Sequence, residues 1–369
     1  MPSADGSCAA FSSAELVAAY LDCRRTKRTT AAALAFEIDQ EARLESLAER
    51  LLDGTYAPGP STCFVVTRPK PREVWAARFE DRIVHHLLHR KIAPRFDRAF
   101  IADSCACIEG RGTLYAGRRL EAKVRAVTAN WARRAYYLKA DLANFFPSID
   151  KAILGELLAA RIPEPWWQAL ALQVLHHDPR PDADVRSGRE RLARIPREKS
   201  LFGQPAGRGL PIGNLSSQFG ANVYLNELDQ FAKHRLGVRH YVRYVDDFVL
   251  LHEDPRQLNA WLAEIEAFVE RRLRVRINPR KTVLQPLERG VDFCGHLVLP
   301  HRRLLRRGTL RSALHRLAGM PAADVAEAAT SYLGLARQAT HSARDRARIA
   351  NVARRRGRAV DHRITKVYA

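Results

Sequence analysis

The chain has 369 residues, enough for one large core or two modest ones, which excludes a small disulfide-stapled scaffold. Sixty-one Lys and Arg against 40 Asp and Glu leave a net charge of +21, an excess that favours a polyanionic partner over an acidic small molecule. Cys8, Cys23, Cys63, Cys105, Cys107 and Cys294 show neither CxxC spacing nor a compact framework, and no apolar run reaches membrane-spanning length, so a cytoplasmic chain with no membrane partner is expected.

Ser12 to Leu52 reads as helical, with apolar positions at Leu16, Tyr20, Leu34, Ile38, Leu44, Leu47 and Leu51, until Gly54 and Pro58-Gly59-Pro60 break it. Phe64-Val65-Val66 reads as a short strand, Pro69-Lys70-Pro71-Arg72 as a basic turn and Asp81 to Ile92 as a helix. The strand-like run Tyr136-Tyr137-Leu138-Lys139-Ala140 stops at Asp141, and a helix is expected from Lys151 to Leu175. Pro179 to Arg208 is weak in regular structure and reads as a surface insertion. Gly209 to Asn214 is a tight loop, followed from Ser216 by a long helix. Arg239 to Val245 and Phe248 to Leu251 form a predicted hairpin. A helix from Asn259 to Leu273, a strand at Val275 to Ile277 and a hairpin over Val291 to Val298 complete a central unit. Beyond Pro300, Leu310, Leu314, Leu317, Tyr332, Leu333 and Leu335 suggest a small separate bundle. Sixteen Lys and Arg and only four Asp and Glu lie from His301 onward, so this end is the expected polyanion grip.

Asp246 and Asp247 interrupt an apolar, β-branched run that a structural strand would not break with charge. The bland alternative is a hairpin turn, since Asp favours turns. The order strand, helix, strand, strand, helix, strand predicts an antiparallel sheet covered on one face by helices, with the first strand beside the hairpin. Asp141 would then face Asp246 and Asp247, and three such carboxylates need divalent cations to stay ionised. Two Mg2+ ions about 3.5 to 4 Å apart would suit an in-line phosphoryl transfer. His85 and His89 have ligand spacing on a helix, but a polar face touching nucleic acid or its own lobe is the expected reading.

Tyr244-Val245-Asp246-Asp247, Asp141 to Phe146, and Leu210-Pro211-Ile212-Gly213-Asn214-Leu215-Ser216-Ser217-Gln218 together resemble motifs C, A and B of reverse transcriptases. Arg72, Glu80 to Val84, Gly110 to Thr113, Asn278 to Thr282 and Asp292 to Gly295 extend the resemblance over roughly residues 60 to 300, in order. It implies an α+β right-hand polymerase fold. Residues 1–60 would be an N-terminal helical extension, 61–135 (with part of 150–220) fingers, 136–290 palm with a β-α-β-β-α-β core, 291–300 a primer-grip hairpin and 301–369 a basic helical thumb. It further implies that Asp141, Asp246 and Asp247, with the Leu142 carbonyl, hold two Mg2+ or Mn2+ ions, and that Lys281 protonates pyrophosphate. Phe146 would exclude the 2′-hydroxyl, while Lys70, Arg72, Arg78, Arg111, Ile212, Gly213 and Gln218 meet the nucleotide or template. Core packing is the alternative for Phe145 and Phe146, and a solvated loop for Lys281. Ser104-Cys105-Ala106-Cys107-Ile108 lacks the tyrosine and arginine that relatives carry before the Gly-Arg-Gly turn, leaving Arg111 to make that contact.

Ile212 in place of glutamine and Gln218 in place of proline resemble the reverse transcriptases of diversity-generating retroelements, bacterial or phage-encoded. The resemblance implies copying of a template RNA from a primer with dNTPs, errors at template adenines, and a small basic helical accessory protein. Isoleucine cannot penalise a misaligned pair through a lost polar contact; packing of the loop is the alternative. A group II-like or phage-defence reverse transcriptase is the runner-up, and a catalytically silent RNA-binding scaffold a reading from another class.

Overall fold

A computed structural model describes residues 10–25, 27–68 and 70–368; Asp5, Cys8 and Pro69 of the basic turn lie outside the described residues. Ser12 begins the first helix with a reciprocal cap: its hydroxyl accepts from the Glu15 N–H at 3.2 Å, while its own N–H donates to the Glu15 carboxylate at 2.8 Å. The continuous helix expected over Ser12 to Leu52 is instead three, α1 (Ser13–Arg24), α2 (Ala31–Glu37) and α3 (Gln40–Leu52). Thr30 is extended and Asp39 leaves the helical region, both residue types whose side chains compete with helical hydrogen bonds. Strands β1 (Thr62–Val66) and β2 (Arg72–Ala76) precede α4 (Phe79–Asp97) and α5 (Thr113–Val127). Strand β3 (Tyr136–Asp141) ends on the predicted acid and is followed by the short α6 (Phe145–Ser148).

The helix predicted over Lys151 to Leu175 is likewise divided, into α7 (Lys151–Ala159) and α8 (Pro165–His176). Pro163 and Pro165 break it, each lacking the N–H that would continue the ladder, and Pro165 instead starts the second helix. After the irregular stretch with β4 (Asp184–Val185) and α9 (Arg189–Leu192) comes the long α10 (Leu215–Gln230). Then follow β5 (His240–Tyr244), β6 (Asp247–His252) and α11 (Pro255–Leu273). The strand expected at Val275 to Ile277 does not form: Arg274 takes a positive φ and Pro279 turns the chain within a few residues, so β7 (Val283–Pro286) supplies the sheet's last strand. Strands β8 (Val291–Phe293), β9 (His296–Leu299) and β10 (Arg302–Leu305) lead to α12 (Arg307–Gly319), α13 (Ala322–Arg337) and α14 (Ala343–Arg355), then the short pair β11 (Ala359–Val360) and β12 (Val367–Tyr368).

The chain divides into two compact units. One comprises residues 1–101, 142–230 and 266–276. Its sheet runs β2-β1-β4, and Glu73 ties it to the irregular segment by accepting from the Trp75 indole at 3.3 Å and the Leu201 N–H at 2.9 Å. Buried Tyr224 on α10 donates to the Leu273 carbonyl at 2.5 Å and accepts from the Asp150 N–H at 3.3 Å, joining three segments distant in sequence.

The other unit comprises residues 102–141, 231–265 and 277–369. Its main sheet has the order β5-β6-β3-β7, every pairing antiparallel. Helix α5 covers one face through Ala116, Leu120, Val124 and Val127, which cluster with Tyr137, Val242, Val249 and Leu251. A second antiparallel sheet runs β10-β9-β8. Helices α12, α13 and α14 bury Leu317, Val325, Leu333 and Ile349 together, the small bundle expected beyond Pro300. Among the described residues no helix is long and apolar enough to cross a membrane.

Candidate active site

Antiparallel pairing alone brings the acids together. Strand β3 lies beside β6 in a register that sets Tyr137 opposite Leu251, Lys139 opposite Val249 and Asp141 opposite Asp247. Strands β5 and β6 pair down to Tyr244 and Asp247, so Val245 and Asp246 form the two-residue turn. Like charges directly opposite each other on a sheet repel, and the surroundings sharpen this. The Asp246 carboxyl is pushed up to about 6, by burial first and then by the charges of Asp141 and Asp247. Burial raises Asp247 as well; Lys139 opposes the shift and Asp141 adds to it.

Two lysines reach this cluster. Lys281 donates from Nζ to Asp141 Oδ2 at 2.7 Å. Burial works against its ammonium, but the bond to Asp141 and the charges of Asp246 and Asp247 prevail and raise its pKa. Lys139 Nζ stands 3.9 Å from Asp247 Oδ1 and donates to the Asp292 carbonyl at 3.0 Å. Asn278 steadies Asp141 by donating its backbone N–H to the Asp141 carbonyl at 2.8 Å. Sequence reasoning did not single out Lys139, although its position two residues before Asp141 puts both side chains on one face of β3, a signal available from the period of a strand.

Among the described residues no three His, Cys, Asp or Glu side chains are already gathered as a metal cage. The three acids nonetheless fit a divalent cation. They are hard oxygen donors, and the strand register and adjoining turn gather three of them where Lys281 and Lys139 reach. One oxygen of Asp141 is turned to Lys281, as expected where ammonium is the nearest cation.

The remaining sequence-predicted residues occupy defined places in their own units. Arg111, in the unit that carries the acids, donates to the Ser104 carbonyl at 2.8 Å and lies over the Tyr115 ring. In the other unit Lys70 is exposed between β1 and β2, and Arg72 is exposed at the start of β2. Arg78 precedes α4 and lays its side chain so close over Gly59 that a Cβ there would collide with Arg78 Cδ. Phe145 is buried while Phe146 stays half-buried beside it, so only the first joins the core. Leu142 is buried.

The predicted loop is pinned through its backbone. The Ile212 carbonyl accepts from the Trp75 N–H at 2.7 Å, and the Asn214 side chain accepts from the Ala77 N–H at 3.2 Å. Gly213 has φ +126°, and a Cβ there would lie 2.7 Å from the Trp75 carbonyl oxygen. Ile212 is half-buried and Gln218 exposed. His85 is buried and His89 packs edge-on against Phe219.

The reverse transcriptase (RNA-dependent DNA polymerase) family matches residues 68–298. Protein YkfC of Escherichia coli (strain K12) is 24% identical over 302 residues, covering 73% of this chain and 74% of that protein. Among solved structures, an apo telomerase from Candida tropicalis truncated from its C-terminal domain superposes with a TM-score of 0.47 at 12% identity over 67% of this chain. The chain spans 56% of the length of that telomerase.

Proposed function

Since the chain belongs to the reverse transcriptase family, which matches it over residues 68–298, we propose that Asp141, Asp246 and Asp247 are the catalytic acids of this RNA-directed DNA polymerase. As a family member it is an enzyme of α+β, right-hand polymerase fold that takes a nucleic-acid template and deoxynucleoside triphosphates. The observation that carries the assignment of the acids is the register setting Asp141 opposite Asp247, with Asp246 in the adjoining turn.

In this reading the three carboxylates, with the Leu142 carbonyl, hold two Mg2+ ions, for which Mn2+ can substitute. When bound, these cations supply the charge that activates the primer hydroxyl and stabilises the departing oxygen. Lys281, kept protonated by its acidic neighbours, gives its proton to pyrophosphate. Lys70 and Arg72 meet the triphosphate, where a forked guanidinium suits phosphate oxygens. Arg78 and Arg111 contact the template or the incoming base, and Phe146 leaves no room for a 2′-hydroxyl. Residues 61–135 with part of 150–220 serve as fingers, 136–290 as palm, 291–300 as primer grip and 301–369 as thumb, with 1–60 an N-terminal extension. Substituting Asp246→Asn is expected to abolish primer extension on an RNA template in a folded protein; retained extension would reject the assignment.

The finer reading is a diversity-generating retroelement enzyme, served by a small basic helical accessory protein and error-prone at template adenines. Ile212, Gly213 and Gln218 support it: the loop's backbone is occupied by Trp75 and its side chain at 212 offers bulk without a polar contact. Ile212→Gln is expected to lower misincorporation opposite adenine on a defined RNA template, read by sequencing the product; an unchanged error spectrum would refute it.

A further inference from the structure

The turn that carries Asp246 is strained. Val245 has φ +54°, a left-handed conformation that costs a β-branched side chain dearly and that hairpins normally give to glycine. Such a conformation persists only where the surroundings hold it, and one side chain is placed to do so. Arg243, with no solvent exposure, sends Nη1 to the Val245 carbonyl at 2.9 Å and Nη2 to the Ser104 hydroxyl at 2.8 Å.

Ser104 is itself anchored. The Arg243 N–H donates to the Asp103 carbonyl at 2.9 Å, and the Cys105 N–H donates to the Arg243 carbonyl at 2.9 Å, so residues 103–105 line the edge of β5. The Asp103 carboxylate pairs with Arg119 at 2.7 Å and Lys123 at 2.8 Å, both on α5, and Arg111 donates to the Ser104 carbonyl at 2.8 Å. The support therefore runs from α5 through Asp103 and Ser104 to a buried guanidinium, and from there to the carbonyl just before Asp246.

We propose that Arg243 is a positioning residue, which braces the strained Val245 carbonyl against Ser104 and so fixes the Asp246 carboxylate where it serves the reaction. The inference rests on the reading of Asp246 as a metal-holding acid. It also gives Ser104 a role distinct from template contact: its hydroxyl is the far anchor of the brace. Lysine cannot replace the arginine, because a single ammonium does not reach two acceptors in fixed fork geometry.

Ser104→Ala removes the anchor without emptying the core, and Arg243→Lys keeps the charge but loses the fork. The test measures Mn2+ binding to the full-length protein by electron paramagnetic resonance, together with steady-state extension of oligo(dT) on poly(rA). Each variant is expected to weaken Mn2+ binding and lower kcat, by about tenfold for loss of a charged hydrogen bond. The KM for dTTP should stay unchanged, and the double variant should be no worse than the more impaired single one, since both break one brace. A merely structural role would reduce the active fraction without moving the Mn2+ midpoint, and that result would overturn the proposal. Should Arg243→Lys not fold, Ser104→Ala decides alone. Asp246→Asn separates the two levels of inference. If it loses Mn2+ binding and extension while Ser104→Ala matches the wild type in both, the brace is wrong and the acid assignment stands; if it loses neither, the acid assignment fails and the brace with it.

Discussion

At the scale of single residues, the candidate site depends on positions where the backbone leaves little choice of side chain. Gly213 combines φ +126° with a carbonyl oxygen 2.7 Å from any Cβ, so that even alanine would be strained and in collision. Gly213→Ala is expected to destabilise the protein by about 2 kcal/mol or to push the loop off β2, raising the KM for dNTP; denaturation midpoints and nucleotide titrations check both. The gathering of the three acids was legible in the sequence, because Asp141 ends one strand-like run and two adjacent acids interrupt another. Arg243 was not. A charged residue in a strand is by default solvent-facing, and only the folded chain encloses this one and gives it the Val245 and Ser104 acceptors.

At the scale of elements, what the sequence foretold and what it missed divide along a physical line. The hairpin of β5 and β6, strand β3 and the bundle of α12 to α14 follow their hydrophobic period, which is a local property. The breaks between α1 and α2, between α2 and α3 and between α7 and α8 lie where periodicity continues but Thr30, Asp39 and the Pro163-Pro165 pair do not tolerate a helix. Period reports which face is buried; capping and proline chemistry report where an element stops. The exchange of Val275 to Ile277 for Val283–Pro286 as the sheet's last strand is of another kind. Both runs are short and mix apolar with polar residues, and it is β7 that pairs with β3 along Tyr136 to Lys139.

At the scale of the whole molecule, charge and buried histidine set how the protein responds to its solution. With a net charge of +21, binding of a polyanionic template should weaken steeply as salt rises, through counterion release. Burial, helped by His86, Arg82 and His177, pushes the His85 imidazole down to about 3, and burial with Lys123, Arg239 and Lys233 pushes His240 down to about 4. In both cases the unfolded chain takes up the proton first, below about pH 6.5, so the folded state loses stability as the pH falls from there toward 3 or 4. For His85 the loss approaches about 1.4 kcal/mol per pH unit. His85→Gln should therefore show a shallower decline of urea midpoint between pH 6.5 and pH 4.5 than the wild type; equal slopes would place the acid sensitivity elsewhere.

By itself the amino-acid order marked Asp141, Asp246 and Asp247, the strands next to them, the glycine of the loop and the basic C-terminal bundle. All of these are written in local pattern: hydrophobic period, and charge or glycine that interrupts it. That Asp141 faces Asp246 and Asp247 already follows from the order of elements; the tertiary structure added the residue-by-residue register that sets Asp141 opposite Asp247, the partnership of Lys281 and Lys139 with those acids, and the burial of Arg243 behind a strained Val245. Pairing between segments some hundred residues apart is selected by the packing of the whole core, and no window of sequence contains it.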